Sequence, residues 1–98
     1  MAAYIIAEIK VTDRAEFEKY RQAVPAVIAA FGGRYLVRGP DRQWLEGAEP
    51  PSSRLVILEF PDMARLQAFW SSPDYAPLKA LRERASTCRI EAVEGYVP

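Results

Sequence analysis

The 98-residue sequence predicts an α+β fold with the element order βαββαβ, and three patterns lead to that prediction. Four segments have the alternating or continuous apolar character of β-strands. Two regions between them carry apolar residues at helical spacing, and clusters of glycine and proline separate the segments. A chain of this length suits one hydrophobic core, so we expect a single domain over residues 1–98.

Residues 3–11 form the first predicted strand, because their side chains alternate with the period of two that a strand imposes. One face carries Ile5, Ala7 and Ile9, and the other carries Tyr4, Ile6 and Glu8. We expect the first set to meet the helices and the second to lie on the open face of the sheet.

The first predicted helix follows Asp13, which precedes Glu16 by three residues as in a capping box, and ends at Gly32-Gly33. Its apolar stripe is Phe17, Tyr20, Val24, Val27, Ile28 and Phe31. Pro25 lacks a backbone N–H, so we expect a kink one turn earlier, near Arg21. One of the two glycines should adopt a positive φ.

The second half of the chain predicts two further strands and a helical region between them. Strand two covers 34–38, with 43–46 as a possible continuation before a loop over 47–53, and strand three covers 54–60. A helix then starts at Pro61-Asp62 and carries Met63, Leu66, Phe69 and Trp70 on one face. A short helix restarts with Ser72 as its cap and Pro73 in its first turn, and residues 87–97 form the last strand.

Right-handed crossovers turn this order into an antiparallel sheet with the helices on one face, the ferredoxin-like arrangement. The open face then carries Tyr4 and Ile6, which is too apolar to meet water across a whole sheet. We therefore expect a homodimer in which a second copy covers that face.

Composition argues against several classes of partner. The chain has 13 acidic and 13 basic side chains and no histidine, so it lacks the basic excess of nucleic-acid and anionic-membrane binders. No apolar stretch approaches the ~20 residues of a membrane span. Cys88 is the only cysteine and cannot form an internal disulfide, and the N-terminus does not resemble a leader, so we expect a cytoplasmic protein.

Several short motifs resemble an uncharacterised bacterial family, domain of unknown function thirteen-thirty. They are Gly32 through Gly39, Leu45-Glu46-Gly47, Arg54 through Pro61, Trp70, Ser72-Pro73-Asp74-Tyr75 and Glu94-Gly95. The resemblance covers nearly the whole chain and implies the dimeric α/β-barrel superfamily, in which two ferredoxin-like subunits pack sheet on sheet. That superfamily includes cofactor-free monooxygenases, muconolactone isomerase, haem enzymes and ligand binders, so the resemblance implies no single reaction.

The absence of histidine limits the chemistry that this chain can perform. Proton transfer would need a carboxylate, a tyrosine or Cys88, and the sequence favours neither a metal nor a haem, so we expect no cofactor. We expect Glu8 on the open face, where Arg34, Arg38, Glu59 and Glu94 can join it to line a cavity.

Two functions fit these residues. In the first, the protein is a cofactor-independent enzyme acting on a small organic molecule, with Glu59 or Glu8 as the proton acceptor and Arg34 or Arg38 holding an anionic oxygen. Trp44 and Glu94 would complete the substrate-binding wall. In the second, the protein is a non-catalytic binding or structural dimer whose charges neutralise one another.

We expect Trp70 in the core, Tyr75 as a cover for the second helix, and Arg82, Glu83 and Arg84 on a solvated face.

Overall fold

A computed structural model describes residues 1–39, 41–48 and 53–98. Its elements are β1 (Ala3–Val11), α1 (Arg14–Ala30), β2 (Arg34–Gly39), β3 (Arg54–Phe60), α2 (Met63–Trp70), α3 (Ala76–Ala85) and β4 (Ser86–Glu94). The four strands pair antiparallel in the order β2-β3-β1-β4, and the helices lie on one face of the sheet. The predicted ferredoxin-like fold is confirmed.

Both ends of α1 follow from the residues that cap it. The Asp13 side chain accepts a hydrogen bond from the backbone N–H three residues later. At the other end, Gly32 has a φ of 80° and donates to the carbonyl of Ala29, while Gly33 donates to the carbonyl of Ile28. This is the Schellman arrangement, so the expectation of a positive φ at one of the glycines is confirmed.

Three predicted boundaries in the second half were wrong. The segment 43–46 is a loop and not a strand, and within it the Trp44 indole donates to the carbonyl of Gly47. The Ser72 Oγ accepts from the N–H of Tyr75, as expected of a cap, and its carbonyl accepts from the N–H of Ala76, but α3 begins only at Ala76 because Pro77 has no N–H to continue the helical bonds. The last strand ends at Glu94, which lies opposite Ala3, the first residue of β1. Residues 49–52 of the predicted loop lie outside the described residues.

The register of β2 contains a bulge that sequence alternation does not anticipate. Arg34 lies opposite Glu59 and Tyr35 opposite Leu58, but Val37 then lies opposite Ile57, which leaves one extra residue in β2. Each later side chain is therefore inverted relative to simple alternation.

The inversion corrects the expectation for Arg38. Arg38 lies opposite Val56, on the face of the sheet that the helices cover, and not beside Glu8. Glu94 also departs from the expectation, because it lies opposite Ala3 and so has the register of the helix-facing set.

The core lies between this face and the helices. Ile5 and Leu58 are buried side by side on neighbouring strands, under Val24 and Ile28 of α1. An aromatic row runs through it, in which the Phe69 ring lies 5.3 Å from that of Phe60 and 4.4 Å from that of Tyr75. The Phe69 and Tyr75 rings of this row line the cavity described below.

Within the described residues, no helix has both the length and the apolar character needed to cross a membrane.

Candidate functional site

A cavity of about 210 Å³ lies between the sheet and the helices. Most of its wall is aliphatic and aromatic, from side chains such as Ile5, Val24, Leu58, Phe69, Trp70 and Ile90. The polar groups that reach it are three tyrosines and four arginines: Tyr20, Tyr35, Tyr75, Arg21, Arg38, Arg54 and Arg82. An apolar pocket with a few convergent polar groups is the usual form of a small-molecule site.

Three of these polar groups form a connected cluster. The phenol oxygens of Tyr20 and Tyr75 are 3.1 Å apart, and the Arg82 Nε donates to the Tyr75 oxygen at 3.4 Å. Tyr75 immediately precedes α3 and Arg82 lies seven residues later, about two helical turns, which places both on the inner side of the helix. Both are buried, with exposed fractions of 2 % and 5 %.

The Tyr20 phenol is a hydrogen-bond donor across the physiological pH range. Burial raises its pKa far above the ordinary value, and the neighbouring Tyr75 phenol raises it further. Tyr20 and Tyr75 carry two hydroxyl protons between them, and the bond that joins the phenols uses one. The other O–H can donate a hydrogen bond to an acceptor on a bound molecule.

Arg82 is a buried cation without an acidic counterpart. None of the ion pairs formed among the described residues involves it. Its guanidinium carbon lies 5.8 Å from the centre of the Trp70 ring, which offers only a weak cation–π contact. Burial by itself lowers the pKa of Arg82, but the neighbouring Tyr75 and the hydrogen bonds to Tyr75 and Cys88 raise it overall, so the guanidinium stays charged.

Arg38 reaches the same cavity from β2, and Pro25 explains its position. Pro25 has no N–H, so the Arg21 carbonyl one turn earlier in α1 has no intrahelical donor. The Arg38 Nη2 donates to that carbonyl at 3.2 Å, and its guanidinium stacks 4.5 Å from the centre of the Tyr35 ring. The proline in α1 therefore creates the acceptor that holds Arg38.

The cavity is electropositive. Its described lining contains four arginines and no Asp or Glu. Arg21 is neutralised by Glu18, with 3.0 Å between Nε and Oε2. Arg38, Arg54 and Arg82 have no ion pair with a described carboxylate. An apolar cavity bordered by unpaired guanidinium groups attracts organic anions.

Glu8 lies on the open face, as its alternation predicts, and it is paired there. Both of its carboxylate oxygens accept from Arg42 at 3.1 Å, and the Ser53 hydroxyl donates to Oε2 at 2.9 Å. The hydrogen bonds from Arg42 lower the pKa of Glu8, against a smaller opposing effect of burial. Glu8 is therefore an ionised carboxylate at neutral pH and a weak base.

Glu59 shares the open face with Glu8 and is also paired. It accepts from the Arg34 Nε at 2.7 Å, across the β2–β3 pairing. Trp44 lies in the loop 41–48, is 43 % exposed, and lies 5.6 Å from the Arg42 guanidinium. The structure thus brings Glu8, Glu59 and Arg34 to one face, and separates them from the cavity that Arg38 lines. No cluster of three or more potential metal-ligating side chains occurs among the described residues.

Sequence reasoning missed the central residues of the cavity. Tyr75 was expected only to cover α2, and Arg82 was expected on a solvated face, whereas Glu83 and Arg84 alone are exposed there. One signal in the sequence could have found Arg82. It lies four residues after Leu78 and three before Ala85, and so falls on the apolar stripe of α3.

The family model for Domain of unknown function (DUF1330) matches residues 2–96. This chain belongs to the DUF1330 family. No curated protein matches this DUF1330 chain.

Solved structures with the same fold have low sequence identity to this DUF1330 protein. A Rhodopseudomonas palustris protein of unknown function, RPA0582, is 16 % identical with a TM-score of 0.78, over 99 % of this chain and 84 % of that one. SnoaB, a cofactor-independent oxygenase from Streptomyces nogalater, is 17 % identical with a TM-score of 0.68, over 99 % and 95 %. A dimeric ferredoxin-like protein of unknown function from Jannaschia sp. CCS1 is 17 % identical with a TM-score of 0.63, over 99 % and 100 %. At these identities the similarity establishes the fold alone.

Proposed function

We propose that this DUF1330 protein is an enzyme that binds a small, largely apolar organic molecule between its sheet and helices and acts on it without a bound cofactor. The observation that carries the proposal is the buried cluster of Tyr20, Tyr75 and Arg82 beside an apolar cavity. Preorganised donors of this kind stabilise negative charge that develops on a substrate oxygen.

The side chains of the cavity fit a reaction in which the bound substrate, and not a cofactor, supplies the electrons that reduce O₂. Arg82 and the two phenols can hold a substrate as its anion, and no described carboxylate lines the cavity to serve as a base. The fold shared with SnoaB supports a cofactor-independent oxygenation as the reaction class. In such a reaction a phenol with a free ring position and O₂ give a quinone and water. One oxygen atom forms the new carbonyl group, and the other leaves as water with the ring hydrogen and the hydroxyl hydrogen.

We also propose that the protein is a homodimer in the cytoplasm. The open face exposes Leu36, Val37 and Val93 beside Ile6 and Ile57, which a second copy would cover. The dimeric ferredoxin-like structure from Jannaschia supports this arrangement. In this proposal the ion pairs of Glu8 and Glu59 belong to the dimer interface. The lone Cys88 suits a reducing compartment.

The lack of a base in the cavity favours one alternative, a non-catalytic binder of the same kind of molecule. Thermal-shift measurements with a panel of small phenols and aromatic carboxylic acids test binding. Oxygen uptake and product analysis with the same panel test turnover, with Tyr75→Phe as the impaired variant and the exposed Tyr96→Phe as its control. Stabilisation with oxygen uptake supports the enzyme, and stabilisation without turnover of any panel member supports the binder. If no compound stabilises the protein, the proposed site is wrong.

A further inference from the structure

We propose that the molecule bound in the cavity is a planar aromatic oxyanion, and that Arg82 is the residue that selects the charged form over a neutral one. This inference rests on the proposed small-molecule site and adds the chemical class of its ligand. It also names Arg82 as the residue that distinguishes a charged ligand from a neutral one.

The buried cluster contains more hydrogen-bond donors than acceptors. Arg82 carries five N–H donors and no acceptor, and its side-chain hydrogen bonds within the described residues go to the Tyr75 oxygen and the Cys88 thiol. The two phenols have one O–H left after the bond between them. A cluster that presents N–H and O–H groups together is completed by a ligand with lone pairs, and a buried guanidinium is best completed by a charged one.

The wall around the cluster is flat and largely aromatic on one side. The rings of Phe69, Trp70 and Tyr75 lie close together, with the Trp70 and Tyr75 centroids 5.7 Å apart. They border a volume of about 210 Å³, in which aliphatic side chains of the sheet form the opposite wall. Flat aromatic molecules fit between such surfaces and gain from stacking on them. A ligand bound in this way can accept a hydrogen bond from Arg82 on its charged oxygen.

The charge on Arg82 is not balanced by any described carboxylate. Described ion pairs hold Arg21, Arg34 and Arg42 in place. Arg82 has none of these constraints, yet it is more deeply buried than any of the three. A cation kept under these conditions at the edge of a cavity is a recognition group for an anion.

The test uses a matched pair of chromophores, 4-nitrophenol and its neutral methyl ether 4-nitroanisole. The parent protein should bind 4-nitrophenolate about tenfold or more tightly than the ether, because a charge-assisted hydrogen bond to a buried guanidinium is available only to the anion. Binding should also lower the pKa of the bound phenol, seen as increased phenolate absorbance at constant pH. These two measurements need no variant.

Arg82→Met then assigns the effect to one residue. It should reduce the preference for 4-nitrophenolate to about unity and abolish the absorbance change, while binding of 4-nitroanisole is retained. Arg84→Met is the matched control, because Arg84 lies two residues away on α3 and is exposed.

The outcomes separate this inference from the proposed site. Equal binding of both chromophores by the parent would overturn the inference and leave the site in place. A preference that survives Arg82→Met would also overturn it. Absence of binding by either chromophore and by every compound of the panel would overturn the site and the inference together.

Discussion

Replacing Arg82 by methionine should stabilise the protein in the absence of ligand. Arg82 is 5 % exposed and has no described ion pair, so the substitution removes the cost of burying a charge, several kcal/mol. Methionine has a similar length, and its thioether can pack on the Trp70 ring.

The substitution also removes three favourable contacts, with Tyr75, Trp70 and Cys88, and all are weak; the Cys88 thiol is a poor hydrogen-bond acceptor. The hydrogen bond to Tyr75 is long, at 3.4 Å, and is worth at most about 1.5 kcal/mol. The cation–π contact with Trp70, at 5.8 Å, is worth about 0.5–1 kcal/mol. The balance is a gain of roughly 1–2 kcal/mol, since a buried charge costs more than these contacts return.

Urea denaturation and thermal unfolding of the parent, Arg82→Met and Arg84→Met provide the measurement. For a domain of this size each 1 kcal/mol shifts the Tm by about 4–8 °C, so the gain is easily resolved. Arg84→Met should stay within about 0.5 kcal/mol of the parent, as exposed substitutions do. A loss of about 2 kcal/mol or more in Arg82→Met would refute the reasoning, because it would show that the fold depends on the charge.

Three further predictions concern α1 and its C-terminal end. Pro25→Ala should stabilise the helix by up to about 3 kcal/mol, because it restores a backbone donor for the Arg21 carbonyl. The same donor should displace Arg38, so that NMR should show faster hydrogen exchange of the Arg38 guanidinium. Unchanged Arg38 signals would contradict the hydrogen bond from Arg38 to that carbonyl. Gly33→Val should lower the urea midpoint, because a Cβ at this position would lie 2.6 Å from the Phe60 ring; a midpoint equal to the parent's would show that the contact relaxes freely. Tyr20 has a raised pKa in the folded state, so its contribution to stability should be complete below about pH 10 and should be lost as the pH rises further. Tyr20→Phe should therefore flatten the alkaline limb of the stability profile, and an unchanged limb would mean that the phenol is not sequestered.

Much of the fold could be predicted because local signals agree with the tertiary structure. Alternation in β1 identifies its buried face, and Asp13 and Gly32-Gly33 delimit α1 through their capping chemistry. The late start of α3 has a local cause as well, since Ser72 makes the expected capping bond but Pro77 has no N–H to continue the helical hydrogen bonds.

The candidate site was harder to predict, because its residues depend on register and packing. The bulge in β2 moves Arg38 to the face opposite Glu8, and nothing in the local alternation marks the extra residue. Arg82 belongs to a charged run that is typical of an exposed helix face, and only its place on the stripe of α3 indicates burial. Tyr75 joins Tyr20 across 55 positions of sequence, a contact that no local pattern encodes.

The most direct test of the account is to locate bound ligand by NMR titration of the isotope-labelled protein with 4-nitrophenol. The account predicts saturable shifts for the side chains of the cavity, foremost Tyr20, Tyr75 and Arg82, and little change around Glu8 on the open face. Shifts centred on Glu8 and Arg42, with the cavity unaffected, would contradict it.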